Sequence, residues 1–311
     1  MAIDKSRWGI LYCPKQSAGH SKKYLERLEN VMKERKVVYD LVQSESVHGV
    51  ERLVRMLINN GYKTIVIVGG DTALNDAVNC LMEVEPEVRR NIALGVIPHG
   101  VLNDFAKFWG YKEADVNATV DALLAHRTRA IDLGCMRYTD NKGEKRCRYF
   151  INCVNIGLIA DMMNLRRQTR RLFGSQTLSF LFSALLLLFH RMEYKMKLKI
   201  NSEIVDRKVM NVCIGSGPGY GQTPNAVPYN GMVDVSVVVS TELLQLFEGF
   251  WLLFTGRFLN HRGVHPYRAR KVDIMSASSA LVGVDGRLLG KLNGECTITV
   301  EQEVVNFLIP R

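Results

Sequence analysis

Hydrophobic and polar positions follow two different periods along the first 130 residues. Short apolar runs such as "WGILYCP" (8–14) and "TIVIVGG" (64–70) are typical of buried strands, while the segments between them carry apolar residues at helical spacing. The pattern predicts strands at 8–14, 37–44, 64–70 and 92–100, each followed by a helix, at 21–36, 49–61, 72–84 and 102–110. Strands and helices in this order predict a parallel sheet covered on both faces, with ligands at the carboxyl ends of its strands.

The pattern changes near Ala130, where alternating apolar and polar residues typical of half-buried strands take over. Two helical stretches interrupt these strands, at 160–191 and 241–256. We therefore predict an α/β domain over 1–130 and a β-rich domain over 131–311, with the last residues of the chain packing back on the first domain.

Composition agrees with a globular protein of two domains. The 311 residues are 47% hydrophobic and 23% charged, which is ordinary for a folded chain. The formal net charge of +10 favours anionic partners, namely a nucleotide, a nucleic acid or an acidic membrane surface. Because the chain lacks an RNP-like aromatic motif, a zinc finger and a basic helical repeat, we expect no nucleic-acid partner.

The cysteines and the apolar runs of the chain indicate the cellular compartment of the protein and its relation to membranes. The seven cysteines are odd in number and form no CxxC pair, which favours a reducing cytoplasm and packing roles over disulfides or a zinc site. The N-terminus does not read as a signal peptide, and the longest apolar run, "LSFLFSALLLLF" (178–189), is shorter than the roughly 20 residues that span a bilayer. We interpret this run first as a buried helix. The alternative is a membrane-docking face beside the basic cluster Arg166, Arg167, Arg170 and Arg171.

The segment "VGGDTALND" (68–76) has the construction of an anion site. Glycine lets the backbone approach a phosphate closely, and the start of the following helix presents N–H groups and a positive dipole end. Asp71 fits such a site if a divalent cation bridges it to phosphates or if it handles a substrate hydroxyl proton. The alternative is that Asp71 only caps its helix, but capping leaves Gly69 and Gly70 unexplained.

Two more turns of this kind are predicted at the same edge of the sheet. In "GVIPHGVLNDF" (95–105) a strand ends in glycine and Asn103 and Asp104 fall in the first turn of the next helix. The first strand ends in "YCPKQSAGHS" (12–21). Three such turns on neighbouring parallel strands predict one composite crevice.

In sequence order, these motifs resemble those of the diacylglycerol kinase catalytic-domain family, the soluble bacterial lipid kinases related to sphingosine and ceramide kinases. The family pattern NPxxGxG is similar to "CPKQSAG" (13–19), GGDGTLNE to "GGDTALND" (69–76) and IPxGTxNDFA to "IPHGVLNDFA" (97–106). Further on, PxAxxxDGxxD is similar to "PNAVPYNGMVD" (224–234) and DGE to "VDGR" (284–287). The order and approximate spacing of the motifs hold over nearly the whole chain.

The resemblance implies an α/β N-terminal domain with a parallel sheet, like that of NAD kinase and phosphofructokinase, and a β-rich, β-sandwich C-terminal domain. It implies phosphoryl transfer from ATP with Mg²⁺, with Asp71 and Asp285 as catalytic residues and Asp285 as the general base or its orienter. The residues implied to bind the nucleotide are Ser44, Gly69, Gly70, Asp71, Thr72, Ala73, Leu74, Asn75, Gly100, Val101, Asn103 and Asp104. Those implied to bind Mg²⁺ are Asp71, Asn230, Met232 and Asp234.

Besides Cys13 and Ser17, which stand where the NPxxGxG pattern has Asn and its first Gly, the chain departs from the family pattern at five positions. Thr72 and Ala73 stand where the family has Gly and Thr, and Val101 replaces the Thr of the second turn. Asn230 replaces an acid of the metal motif, and Arg287 replaces the Glu of DGE. We interpret these changes as those of a divergent subfamily, because Asp71, Asn75, Gly100, Asn103, Asp104 and Asp285 are retained.

The leading hypothesis is a cytoplasmic lipid kinase that binds anionic membranes peripherally and phosphorylates the hydroxyl of diacylglycerol or of a sphingoid or ceramide-like lipid, as a step of phospholipid biosynthesis. One alternative is a degenerate nucleotide- or lipid-binding module without kinase activity, because of the five departures. Another is NAD kinase, which shares a GGDG-type turn. The sequence leaves the lipid and the oligomeric state open, a homodimer included.

Overall fold

A computed structural model of the chain describes residues 7–13, 18–44, 49–100, 103–140, 142–173, 193–239, 243–277, 279–292 and 294–310. The chain divides into two compact units. The first consists of Met1–Leu133 and Gln302–Arg311, and the second consists of Gly134–Glu301. The division in the middle of the chain therefore lies close to residue 130, and the last residues belong to the first unit.

The first unit is built on a parallel sheet whose strands are separated by helices. Its strands are β1 (Trp8–Tyr12), β2 (Tyr39–Gln43), β3 (Thr64–Gly69), β4 (Ala93–Pro98) and the end of β15 (Cys296–Leu308). Its helices are α1 (Ala18–Glu34), α2 (Gly49–Asn59), α3 (Asp71–Met82), α4 (Pro86–Arg89), α5 (Asp104–Phe108) and α6 (Val116–Leu124). The strands lie in the order β2–β1–β3–β4, and the end of β15 joins beside β4. The predicted α/β organisation is confirmed.

Burial along β3 explains why its sequence is a continuous apolar run. Every residue of this strand is buried, and Ile65, Val66, Ile67 and Val68 have no exposed surface. A parallel strand covered by helices on both faces has no solvent side, so its residues do not alternate between apolar and polar. The same strand ends at Gly69, which pairs in register with Pro98 of β4.

The second unit is an antiparallel β structure. It includes the end of β5 (Thr128–Thr139) and the start of β15. Its other strands are β6 (Lys145–Phe150), β7 (Cys153–Gly157), β8 (Tyr194–Ile200), β9 (Glu203–Gly215), β10 (Val233–Val239), β11 (Val264–Ala269), β12 (Lys271–Ala277), β13 (Leu281–Val284) and β14 (Arg287–Lys291). The main order is β14–β13–β7–β9–β8–β12, and β10 lies between β9 and β11. On β8, Met196, Leu198 and Ile200 are buried while the lysines between them are not. The prediction of a β-rich second half is confirmed.

Among the described residues of the second unit, two α-helices are present, α7 (Leu158–Phe173) and α8 (Leu243–Phe254). They correspond to the start of the helical stretch predicted at 160–191 and to the stretch predicted at 241–256. The apolar run 178–189 lies outside the described residues, and the side chains of Arg166, Arg167, Arg170 and Arg171 are not described either. Within the part of the chain that is described, no helix is long and apolar enough to cross a membrane.

Candidate functional site

Three strand ends of the first unit lie together because β1, β3 and β4 are parallel neighbours. The residues that follow these strands are joined by backbone hydrogen bonds. Cys13 N donates to Val68 O at 2.8 Å, and His99 N donates to Gly69 O at 2.8 Å. Ser44, which follows β2 and is buried, donates its N–H to Tyr12 O at 2.9 Å. The sequence-predicted turns are thus brought to one edge of the sheet, as the strand order requires.

Gly70 and Gly100 bring two of these turns into direct contact. A Cβ atom placed on Gly100 would lie 2.3 Å from the Cα of Gly70 and 2.5 Å from Asn103 Oδ1. A Cβ on Gly70 would lie 2.9 Å from the Cα of Gly100. Real side chains do not approach backbone atoms this closely, so both positions exclude any residue other than glycine. These glycines are therefore needed for the packing of the turns, whatever ligand the turns bind.

Asp71 is the first residue of α3, and its side chain caps a different helix. Its carboxylate oxygens accept hydrogen bonds from Asp104 N at 2.7 Å and Phe105 N at 3.3 Å, the first two residues of α5. The N-cap of α3 itself is Gly70, without a side-chain capping bond. The sequence suggested either a cap of its own helix or a role in chemistry. The structure shows that the Asp71 carboxylate, 9% exposed, links the turn after β3 to the turn after β4.

Asn103 fixes the turn between β4 and α5. Its backbone adopts a left-handed conformation with φ of 53°, which Asn tolerates better than most residues. Its Oδ1 accepts from Gly100 N at 2.8 Å and its Nδ2 donates to Gly100 O at 3.1 Å. Asp104 follows as the first residue of α5, and its side chain lies 3.7 Å from Lys107 Nζ. Val101, also predicted to contact the nucleotide, lies outside the described residues.

The remaining predicted nucleotide residues lie on the first turns of α3. Leu74 and Asn75 are buried, and Thr72 and Ala73 are half-buried. Neither Thr72 nor Ala73 has a positive φ, because the helix begins at Asp71. A third glycine is therefore not required by the backbone after Gly70. Leu74 packs in the core, with no exposed surface.

The buried His99 lies beside these turns, in a cluster with Tyr24 and Glu113 that the sequence did not predict. The ring of His99 stacks on Tyr24 with centroids 3.9 Å apart, and its Nδ1 lies 3.2 Å from Glu113 Oε1. Burial, and then the nearby Glu113 carboxylate, raise the pKa of Tyr24 above its ordinary value. Burial also raises the pKa of the Cys13 thiol to about 12. Tyr24 and Glu113 are far from His99 in sequence and belong to no motif, so no local signal pointed to them.

In the second unit, Asp285 and Gly286 form the two-residue turn between β13 and β14. Their φ angles are 44° and 82°, the combination of a type I′ hairpin turn, for which Asp-Gly is a preferred pair. The Asp285 carboxylate is 1% exposed. It accepts backbone hydrogen bonds from Ile151 N at 2.7 Å, Cys153 N at 2.8 Å and Asn152 N at 3.1 Å. The side chain thus anchors the segment that leads into β7.

The residues of the second unit that were predicted to bind a metal form hydrogen bonds with other groups of the protein. Asp234 forms a two-point ion pair with Arg268, at 2.6 Å and 3.0 Å, from directly opposite positions of β10 and β11. Asn230 Oδ1 accepts from Met232 N at 3.0 Å. A guanidinium on the carboxylate opposes a cation there, so this donor set does not fit Mg²⁺ in the observed arrangement. Over the described ranges, no group of three or more His, Cys, Asp or Glu side chains is placed to hold a metal ion. The metal assignment stays a prediction.

Comparison with known proteins agrees with the motifs. Residues 7–136 match the diacylglycerol kinase catalytic domain, and residues 152–307 match the YegS C-terminal NAD kinase beta sandwich-like domain. The chain is 25% identical over 301 residues to YtlR of Bacillus subtilis (strain 168), whose name describes a candidate lipid kinase, with 92% of this chain and 94% of YtlR covered. It is 21% identical over 239 residues to the diacylglycerol kinase of the same organism, with 75% and 74% covered.

Solved structures show the same fold. A candidate diacylglycerol kinase from Bacillus anthracis str. Sterne aligns with a TM-score of 0.73 and 17% identity over 99% of both chains. Yeast NADH kinase complexed with NADH aligns with a TM-score of 0.52 and 7% identity, covering 98% of this chain and 83% of the kinase. The two matched domains together cover most of the sequence, and the second alone covers half of it. The chain therefore belongs to the diacylglycerol kinase catalytic-domain family of lipid kinases.

Proposed function

We propose that this protein transfers the γ-phosphoryl group of ATP to the hydroxyl of a membrane lipid, with diacylglycerol as the first acceptor to test. The observation that carries the proposal is the contact between the Gly70 and Gly100 turns at the ends of β3 and β4, in a chain of a lipid kinase family. The family suggests ATP as the phosphoryl donor. The acceptor and the action at a membrane are inferences from this chain's own features.

The paired turns support a phosphate-binding role. The first turn of α3 follows Gly70 directly, and the positive end of the helix dipole, which favours an anion, lies there. Mg²⁺ enters with ATP as part of the substrate and supplies neutralisation of the phosphate charge. Asp71 positions this region, because its carboxylate joins α5 to the turn that begins α3.

Of the two roles expected for Asp285, its contacts support that of a positioning residue. Three backbone N–H groups occupy both carboxylate oxygens, and such bonds favour the ionised form. Protonation during phosphoryl transfer would weaken these bonds, because they are made to the ionised carboxylate. Asp285 instead holds residues 151–153 in place.

Helix α8 supports docking on a membrane. One face of α8 packs on the unit, since His261 Nε2 lies 2.8 Å from Gln245 O. Phe247 and Trp251 are one helical turn apart and are 58% and 70% exposed. Trp and Phe on one exposed helix face are typical of interfacial anchors, and a net charge of +10 complements an anionic lipid surface.

The kinase activity is tested by incubating the protein with labelled ATP and Mg²⁺ and with diacylglycerol, sphingoid base, ceramide or phosphatidylglycerol in mixed micelles. We expect transfer to at least one lipid. Gly100→Ala should abolish it, whereas Gly249→Ala should retain it, because Gly249 lies in the right-handed helix α8 and a Cβ there would make only ordinary contacts, the nearest at 3.6 Å. Transfer to NAD⁺ alone, or ATP binding without transfer to any lipid, would contradict the proposal.

Membrane docking is tested separately by sedimentation with anionic and neutral vesicles. Trp251→Ala and Phe247→Ala should lose binding to anionic vesicles by about tenfold while keeping activity on micellar lipid. Ile204→Ala is the matched control, because Ile204 is 57% exposed in the same unit and lies outside α8. Binding that is unchanged in both α8 variants would refute the docking role and leave the kinase proposal intact.

A further inference from the structure

We propose that Cys135 and Cys147 form a redox-active dithiol, in which Cys147 reacts with peroxide and Cys135 then closes an intramolecular disulfide. The inference is independent of the proposed kinase activity. It concerns the antiparallel hairpin of β5 and β6 in the second unit. The two Sγ atoms lie 2.7 Å apart.

The register of the hairpin explains why the thiols meet. Cys135 lies opposite Tyr149, and Arg137 lies opposite Cys147. Residues two apart on a strand share a face, so these four side chains lie on the same face of the hairpin. Cys135 and Cys147 occupy diagonal positions of this group. No backbone rearrangement of the hairpin is needed to bring the thiols into contact, because they are already in contact.

The two thiols differ in environment in the way that an attacking and a resolving cysteine require. Cys147 is exposed to solvent, whereas Cys135 has no exposed surface. The hydrogen bond from Cys135, and further the Tyr149 hydroxyl and the Arg137 guanidinium, lower the pKa of Cys147 to about 7. The lowered pKa favours the thiolate of Cys147, and the thiolate is the nucleophile. The same contact raises the pKa of Cys135, so Cys135 keeps its proton until its sulfur attacks the oxidised Cys147.

The other thiols of the chain provide an internal contrast. Burial raises the pKa of Cys80 and of Cys296 to about 12. Thiols with a pKa so far above neutral stay protonated at neutral pH and are poor nucleophiles. Both side chains are also buried. Peroxide should therefore react much faster with Cys147 than with Cys80 or Cys296.

The proposed chemistry balances in two steps. The Cys147 thiolate attacks one oxygen of hydrogen peroxide, the O–O bond breaks, and a sulfenic acid forms while hydroxide leaves and takes a proton from solvent. The Cys135 sulfur then attacks the Cys147 sulfur, the S–O bond breaks, and the Cys135 proton leaves with the hydroxyl as water. In sum, two thiols and one peroxide give one disulfide and two waters, with sulfur oxidised and peroxide reduced.

The full-length protein is treated with one equivalent of hydrogen peroxide at neutral pH, blocked with iodoacetamide and digested with trypsin. Trypsin separates the two cysteines, because it cleaves after Arg129, Arg137, Arg146 and Arg148. We expect a product in which peptide 130–137 is joined to the dipeptide 147–148 and which disappears on reduction. In unoxidised protein, Cys147 should alkylate at least 100-fold faster than Cys80 or Cys296.

Three variants, one of them a control, keep the test decisive. Cys147→Ser should abolish both the linked peptide and the fast alkylation, while Cys296→Ser should change neither. Cys135→Ser should leave a sulfenic acid at Cys147 that a dimedone probe captures. Equal alkylation of all cysteines, or a Cys147 that peroxide converts only to sulfinic acid in the wild-type protein, would overturn the proposal. The wild-type digest decides the matter even if a variant fails to fold.

Discussion

Replacing Asp71 by alanine should loosen the start of α5 and the sheet edge that it joins. The side chain accepts two backbone hydrogen bonds, from Asp104 N and Phe105 N. Phe105 has no exposed surface, and its ring lies edge-on to Phe307 with centroids 5.0 Å apart. The perturbation therefore reaches from a turn into an aromatic core of the first unit.

The size of the effect follows from these contacts. Removing a helix cap costs about 0.5–2 kcal/mol, and leaving a buried N–H without a partner costs about 1–3 kcal/mol. We expect Asp71→Ala to lower the free energy of unfolding of the first unit by about 2–3 kcal/mol, and its melting temperature by roughly 5–10 °C. Asp71→Asn keeps one oxygen acceptor for the shorter bond, so it should recover about half of the loss.

Urea denaturation and thermal melting followed by circular dichroism measure these losses. Asp115→Ala is the matched control, because Asp115 caps α6 by accepting from Ala118 N at 3.0 Å on the exposed surface. It should cost about 1 kcal/mol without affecting the glycine turns. An Asp71→Ala protein as stable as the wild type would refute the capping role. An Asp71→Asn protein that is stable but gains no melting temperature from ATP with Mg²⁺ would show that the charge also acts on the nucleotide.

Three further predictions follow from single contacts. Gly100→Ala places a Cβ 2.3 Å from the Cα of Gly70, so the two turns must separate. ATP should then no longer raise the melting temperature. A variant whose melting temperature still rises with ATP would show that the contact between the turns is dispensable. Asp285→Asn turns an amide toward three N–H donors and should lower stability by about 2 kcal/mol. A fall in turnover with unchanged stability and a lost acidic limb of the pH profile would instead identify Asp285 as the base. Burial raises the pKa of Asp161, so its carboxyl keeps a proton to a higher pH in the folded protein than in the unfolded chain. The stability that this protonation contributes is lost as the pH rises above about 4. In the wild-type protein, the urea midpoint of unfolding should therefore fall as the pH rises, and Asp161→Asn should remove this fall. A variant with the same pH dependence as the wild type would refute the role of Asp161.

The parallel sheet and its turns could be predicted because their signals are local. The run 65–68 is apolar throughout, and two glycines follow it directly. The partner of Asp71 could not be predicted in this way. Asp104 N lies 33 positions further along the chain and is a backbone group, so no side-chain pattern marks it. The fold decides which helix a carboxylate at a strand end will cap.

Cross-strand contacts in the second unit escaped the sequence for a related reason. Cys135 and Cys147 are 12 positions apart and form no recognised spacing, and their contact depends on the register of one hairpin. The ion pair of Asp234 with Arg268 depends likewise on the register of β10 and β11. A shift of one residue in either pairing would move the side chains to opposite faces. Alternation predicted the strands but carried no information about register.

At Thr72 and Ala73 the chain departs from the family pattern where the backbone allows a choice. Gly70 and Gly100 admit no side chain, and Asp285 anchors three N–H groups, so these residues shape the turns. Ala73, by contrast, lies half-buried within right-handed helix, and the family threonine there could only add a hydroxyl. The departures should accordingly weaken polar contacts to a nucleotide without changing the turns.

Ala73→Thr tests this argument directly by restoring the hydroxyl. A new hydrogen bond to a phosphate contributes about 1.5 kcal/mol, so the KM for ATP should fall by about tenfold. The melting temperature without nucleotide should stay within about 2 °C of the wild type, because Ala73 is only half-buried and the helix propensities of Ala and Thr differ by less than about 0.7 kcal/mol. Ala77→Thr, at a buried position one turn further along α3, is the contrasting variant that should lose stability without gaining affinity. An unchanged KM in a stable Ala73→Thr protein would mean that this turn binds the nucleotide through its backbone alone.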